Sequence, residues 1–198
     1  MIYLCMDTSH TWLAVSLIVD DHVAASFQQE CWKRQSEEIF PAIQSVMNQA
    51  GITPKDVQGI VISKGPGSYT GVRIAMTIAK VYASSLQIPL YTVGSLDLYA
   101  GGEDCTVVTD ARSKRVYHAQ YRNGERVTEV SAIPCEELAG SIPEDEIVIG
   151  DGNLIGREKK EPEIAQNFLK LMPKWEKQEN IHLVEPEYLK SREAYLVK

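Results

Sequence analysis

A short apolar run that stops at an aspartate, followed by a turn and two further strand-like runs, occurs twice in this 198-residue chain. Ile2-Tyr3-Leu4-Cys5-Met6 ends at Asp7-Thr8-Ser9, and residues 105–109 end at Asp110. After the first Asp come Trp12–Val19, an Asp20-Asp21 turn and a third strand over 22–29, a meander. A helix follows over 36–50. Ser36 is its expected N-cap, Glu37 and Glu38 favour its positive end, Ile39, Ile43, Val46, Met47 and Ala50 repeat at helical spacing, and Gly51 stops it. Pro41 is tolerated by falling near the first turn. A strand over 57–63, a glycine-rich loop, a helix over 71–86, a strand over 89–93 and a short helix over 95–100 complete the first round. The second continues with strands over 116–121 and 125–130 around an Asn123-Gly124 hairpin turn, a short helix over 136–139 and a strand over 146–149. Residues 164–171 read as a last helix ended by Pro173.

Three antiparallel strands followed by strand–helix–strand crossovers give mixed sheets covered by helices, an α/β fold. The order restarts after Gly101-Gly102, so two domains are expected, residues 1–101 and 102–198. Residue identity between the halves is slight, so only the order of elements repeats.

Composition narrows the function classes. The apolar runs are too short to span a bilayer and no leader sequence is recognisable, so the expected compartment is the cytoplasm. Cys5 and Cys105 sit inside apolar strands, as buried thiols do in a reducing compartment. Of the formal charge of −7, residues 1–156 carry −8, because residues 157–198, with 9 basic and 8 acidic side chains, contribute +1. An acidic body repels phosphate backbones and is a poor nucleic-acid binder unaided.

The densest motif is Lys64-Gly65-Pro66-Gly67-Ser68-Tyr69-Thr70-Gly71-Val72-Arg73. Glycines before a helix can present N–H groups to an anion, which makes Gly65, Gly67 and Ser68 candidate phosphate contacts. The spacing is neither a P-loop nor a dinucleotide fingerprint, and a tight strand-to-helix turn capped by Ser68 or Thr70 is the favoured reading. Asp7 and Asp110 stand where phosphoryl-transfer enzymes place metal-holding or water-orienting carboxylates. Thr8-Ser9 and Ala111-Arg112 crowd both turns, and local turn capping is the alternative. Gly150-Asp151-Gly152 closes the last strand, where an adenosine turn or a plain turn would lie. His10, His22, His118 and His182 have no metal-ligand spacing and no nucleophile elbow is present, so neither a zinc site nor a hydrolase is expected. On the second helix Gly71, Ala75, Ala79 and Ala83 form a stripe of small residues. Such a stripe packs closely either on the chain's own sheet or on a partner helix.

The duplicated strand–Asp unit resembles the actin, sugar-kinase and heat-shock-chaperone superfamily. Asp7-Thr8-Ser9, the string from Gly65 to Ile74, Asp110-Ala111-Arg112 with Val116-Tyr117, and Pro186-Glu187-Tyr188-Leu189 together resemble the bacterial TsaB (YeaZ) family across almost the whole chain. Departures are Gln35 where the family usually has His, Ala75 for Gly, Lys190 for Arg, and a shorter stretch after Gly152.

The resemblance implies two actin-like (RNase H-like) lobes with mixed five-stranded sheets and no independent catalysis. It implies a role in making threonylcarbamoyladenosine in tRNA as the partner of a TsaD-like transferase, which holds the metal, and of a TsaE-like ATPase. It implies no cofactor on this chain alone, with any ATP and Mg²⁺ belonging to the complex, and tRNA contacted only through that complex. It also implies pairing with TsaD, or with a second copy, through the first lobe's two helices. The expected interface residues are Ser36, Ile39, Ile43, Gly71, Ala75, Ala79 and Ala83. The alternatives are an autonomous sugar-kinase-type phosphotransferase or ATPase using Asp7, Asp110, Gly150 and Gly152, and a peptidase, for which the sequence supplies no nucleophile–base pair.

Overall fold

A computed structural model describes residues 1–31 and 33–189. Among them the strands form two mixed sheets. β1 (Ile2–Asp7), β2 (Trp12–Val19) and β3 (His22–Glu30) are antiparallel neighbours. After α1 (Gln35–Ala50), β4 (Gly59–Ser63) pairs parallel to β1. After α2 (Tyr69–Leu86), β5 (Leu90–Val93) pairs parallel to β4. The short α3 (Ser95–Ala100) leads to the second sheet. There β6 (Cys105–Asp110) lies antiparallel to β7 (Arg115–Arg122), which pairs β8 (Glu125–Arg126) and β9 (Ser131–Pro134). After α4 (Cys135–Ser141), β10 (Val148–Gly150) pairs parallel to β6.

The chain then returns. α5 (Ile164–Lys170) packs against β3 and β2, and β11 (Glu176–Lys177) adds antiparallel to the edge of β5. The first sheet is therefore six-stranded, in the order β11-β5-β4-β1-β2-β3, where five strands were expected. Two residues without apolar alternation carry no strand signal of their own; the exposed β5 edge makes them one. A division at residue 101 leaves Glu176–Lys177 and Val184 on the first sheet's side, with Val184 in the same core as α1 and α2.

Period-two alternation sorts β1 between two cores. Leu4 and Met6 join Leu13, Val15, Leu17, Ile60 and Ile62 beneath α1 and α2. Tyr3 and Cys5 join Trp12, Ala14 and Val61 on the other face, where α3 and α5 pack. That second cluster runs without a break into Val107, Tyr117, Ala119 and Tyr121 of the second sheet, so one apolar core cements the two sheets. Burial pushes the Cys105 thiol up to about 12 and raises Cys5 as well, which keeps both protonated and inert. Asn123 and Gly124 both take positive φ, as a two-residue hairpin turn of this composition requires.

Two expectations about α1 are corrected. Arg34 holds the N-cap position and makes no side-chain cap, while Ser36 lies exposed inside the first turn. Gln35 starts the helix early because its buried amide donates to the carbonyls of His10, at 2.5 Å, and Trp12, at 3.0 Å. Pro41 consequently lies in the second turn. It is exposed, and so is Glu37, whose carbonyl loses the i→i−4 partner and can turn to water.

Candidate functional site

Two regions collect the residues singled out above: the turns where β1, β4, β6 and β10 end, and the helices α1 and α2.

At the strand ends Asp7 is fully buried. Its Oδ1 accepts the Ser9 N–H at 3.0 Å and the Ser63 hydroxyl, and Tyr99 lies 3.5 Å from Oδ2. Burial, then the charges of Asp7 and Asp151, raise the Tyr99 phenol well above its ordinary value, so it stays a donor. The glycine loop sits directly on this turn. Ser68 N–H donates to the Ser9 carbonyl at 2.7 Å, and the Ser68 hydroxyl caps α2 by accepting the Gly71 N–H at 3.2 Å. Thr8 Oγ1 donates to the Gly71 carbonyl at 2.6 Å and accepts the Ala75 N–H at 3.1 Å, stitching the turn into the first turns of the helix.

The glycines serve this packing. A Cβ on Gly67 would lie 2.1 Å from the Ser9 carbonyl oxygen, and one on Gly71 2.2 Å from that of Thr8. Gly65, at φ +108°, has the Glu187 carbonyl 2.7 Å from its Cβ position. In the second sheet Gly150, at φ +97°, faces the Val108 carbonyl at 2.2 Å, and Gly152 faces that of Glu158 at 2.2 Å. Backbone of this chain thus lies over every glycine that was a candidate phosphate or nucleotide contact.

Asp110 is turned outward onto its own neighbour: its carboxylate takes the Arg112 N–H at 2.7 Å and guanidinium at 2.8 Å. Asp151 points inward, accepting the Asp110 N–H at 2.9 Å and meeting His10 Nε2. Burial alone would raise Asp151. The hydrogen bond and charge of His10, the Asp110 N–H and Lys159 outweigh it and leave the carboxyl below its ordinary value. Around Asp110, an open depression of about 790 Å³ mixes Arg112, Lys114 and Arg115 with the Asp110 and Glu136 carboxylates.

On the helices the interface expectation is corrected. Ala75, Ala79 and Ala83 are at most 1% exposed and pack on the chain's own sheet, with Gly71, Ile39 and Ile43 also buried. Their smallness serves the approach of α2 to β4 and β1. The opposite face of α2 is apolar too: Ile78, Val81, Tyr82 and Leu86, with Phe40 of α1 and Pro54, line an open groove of about 460 Å³. Phe40 and Val81 are each 63% exposed. In the sequence Ile78, Val81, Tyr82 and Leu86 flank the alanine stripe, while Arg73, Thr77, Lys80 and Ser84 form a polar stripe, so α2 carries more apolar surface than one buried face uses. His10, Gln35 and Asp151 carry no local signal, because their contacts lie 23 to 141 residues away.

Comparison with known proteins decides the family. The TsaB protein of Bacillus subtilis is 36% identical over 169 residues, spanning 82% of this chain and 69% of its own length. The chain belongs to the TsaB family. The TsaB protein of Escherichia coli is 31% identical over 129 residues, 62% of this chain and 55% of its own. A family model described as TsaD, tRNA N6-adenosine threonylcarbamoyltransferase, matches residues 21–147. The fold is that of YeaZ from Pseudomonas aeruginosa, at TM-score 0.73 and 24% identity over 95% of this chain and 99% of that one. For this member of the family, Lys190 lies outside the described residues, whereas Gln35 now has a stated role in anchoring α1.

Proposed function

We propose that this TsaB-family chain is a non-catalytic subunit in the synthesis of threonylcarbamoyladenosine in tRNA, holding a TsaD-like transferase together with a TsaE-like ATPase. The observation that carries the reading is a contrast. The strand-end turns, where a phosphotransferase would need open glycines, are packed against the chain's own backbone, while a helical face stays open and apolar. A contiguous exposed apolar face is the mark of a partner site.

Phe40, Ile78, Val81, Tyr82 and Leu86 replace the buried small residues as the proposed interface. Ser36 remains with them, one helical turn before Phe40 and exposed. The same face would serve a homodimer when the transferase is absent. ATP and Mg²⁺ act in the assembled complex, in the cytoplasm; among the described residues no helix is long and apolar enough to cross a membrane. tRNA meets the chain only within the complex.

Reconstitution tests this. The chain, its TsaD-like and TsaE-like partners, threonylcarbamoyl-adenylate and unmodified tRNA are combined with one component omitted at a time. Loss of modification without this chain, together with no heat of Mg-ATP binding to it alone, is the expected result. Modification that proceeds without it, or calorimetric Mg-ATP binding by the isolated chain, would return the autonomous phosphotransferase to the front.

A further inference from the structure

His10 and Asp151 lie 141 residues apart, one on each sheet, yet their side chains meet in the interior. His10 belongs to the turn after β1, and Asp151 directly follows β10; both are 7% exposed. Each is fastened from behind. The His10 carbonyl takes the Gln35 amide, and its ring meets Tyr99 edge-on at 6.5 Å. The Asp151 N–H donates to the Val108 carbonyl at 2.7 Å, its carbonyl accepts the Leu154 N–H at 3.0 Å, and Oδ2 also takes the Asp110 N–H at 2.9 Å. The nearby carboxylates are engaged elsewhere: Asp7 by Ser9 and Ser63, Asp110 by Arg112. Lys159 is the further cation near Asp151, and it also pairs with Glu30 at 2.9 Å.

The carboxyl ends of parallel strands, where this contact sits, are where open α/β sheets leave a ligand crevice. Two-lobed α/β proteins that bind ligands there close by hinge motion. Here the continuous apolar core joins the sheets on one side and the His10–Asp151 contact joins them at the strand ends.

We propose that His10 and Asp151 form an internal latch that holds the two sheets in one fixed placement, so that this chain is a rigid platform and does not open along its cleft. Because Gln35 ties the same turn to the start of α1, the latch also fixes the second sheet relative to the helical groove. The proposal goes beyond the subunit reading and is tested on the isolated chain, so its outcome is independent of any partner.

The test is amide hydrogen exchange by NMR on the wild type, His10→Phe, Asp151→Asn and the double variant, with the swapped pair His10→Asp/Asp151→His as rescue. His10→Phe keeps a ring against Tyr99 and removes the donor. The latch predicts at least tenfold faster exchange at Asp110 and Leu154 in each single variant, with the β1 and β4 amides unchanged. It also predicts a double variant no worse than the more affected single one, and slower exchange again in the swapped pair. Unchanged exchange at Asp110 and Leu154 in both singles, or strictly additive effects in the double, would overturn it. If His10→Phe fails to fold, Asp151→Asn and the swapped pair carry the same test, since a dispensable contact would leave both with wild-type exchange.

Discussion

The two ends of α2 present opposite solutions to the same chemistry. At its N-terminus two glycines precede the helix and a third lies in its first turn, an arrangement often associated with an anion, and the chain sets the Ser9 and Thr8 carbonyls against Gly67 and Gly71. Further along the helix, exposed Val81 and Phe40 of α1 stand with the half-buried Ile78, Tyr82 and Leu86 around an open apolar groove. Glycine at a helix start therefore reports close approach of backbone, and only the approaching group tells whether it is a ligand or the protein itself. Large apolar residues on the outer face of a helix whose inner face is already filled by alanines are the surface on which the proposed partner is tested.

Breaking the buried side should have the largest effect. Ala79→Arg places a charge in the core shared by α2 and the first sheet, where the alanine is 0% exposed. Removing an unpaired charge from water there should cost on the order of 4 kcal/mol, so thermal or urea unfolding should show a chain that is mostly unfolded. Gly67→Ala comes next. Its methyl would overlap the Ser9 carbonyl, and separating loop from turn should cost about 3 kcal/mol and release the Ser68 N–H from that oxygen. A Gly67→Ala protein with wild-type stability would mean the loop is not held by the turn.

The exposed side should behave in the opposite way. Val81→Glu should leave stability within about 0.5 kcal/mol, because the side chain is already in water, yet abolish pairing with the TsaD-like partner in size-exclusion chromatography with light scattering. Phe40→Ala should weaken the same pairing by about 2 kcal/mol, roughly thirtyfold in Kd, as a truncated aromatic anchor does. Retained pairing in both would remove the groove from the interface.

The smallest effect is in pH. Asp151 is held below its ordinary value, so its contribution to stability is present above about pH 4 and is lost as pH falls through the lowered folded value. In His10→Phe the effect of burial remains and the opposing His10 contribution disappears, so the acid transition followed by circular dichroism should move to higher pH. The other groups near Asp151, namely Lys159, Asp7, Tyr99 and the Asp110 N–H, are the same in both proteins.

Much of this was legible in the sequence for a physical reason: apolar spacing and turn chemistry are local. β2 and α3 fall where their apolar runs and flanking turn residues place them, and Asn123-Gly124 makes the hairpin its composition demands. The stripe of small residues was legible as a close-packing face, but spacing cannot say which surface it packs on. The choice was settled by the first sheet, which fits the alanines. Likewise the start of α1 was set by where the Gln35 amide finds two carbonyls. β11 exists because β5 offers an open edge, and His10–Asp151 depends on the whole fold to bring two turns together. These are tertiary choices, and no window of sequence contains them.

The most direct test is an amide-exchange footprint of the chain with the purified TsaD-like transferase proposed as its partner, in the presence of Mg-ATP. Protection confined to the outer face, around Ser36 to Phe40 and Ile78 to Leu86, with unchanged exchange at Gly65 to Thr70, Asp110 and Gly150 to Gly152, is the predicted result. Protection of those strand-end turns with α1 and α2 unchanged would show that the cleft is the working site and contradict the account.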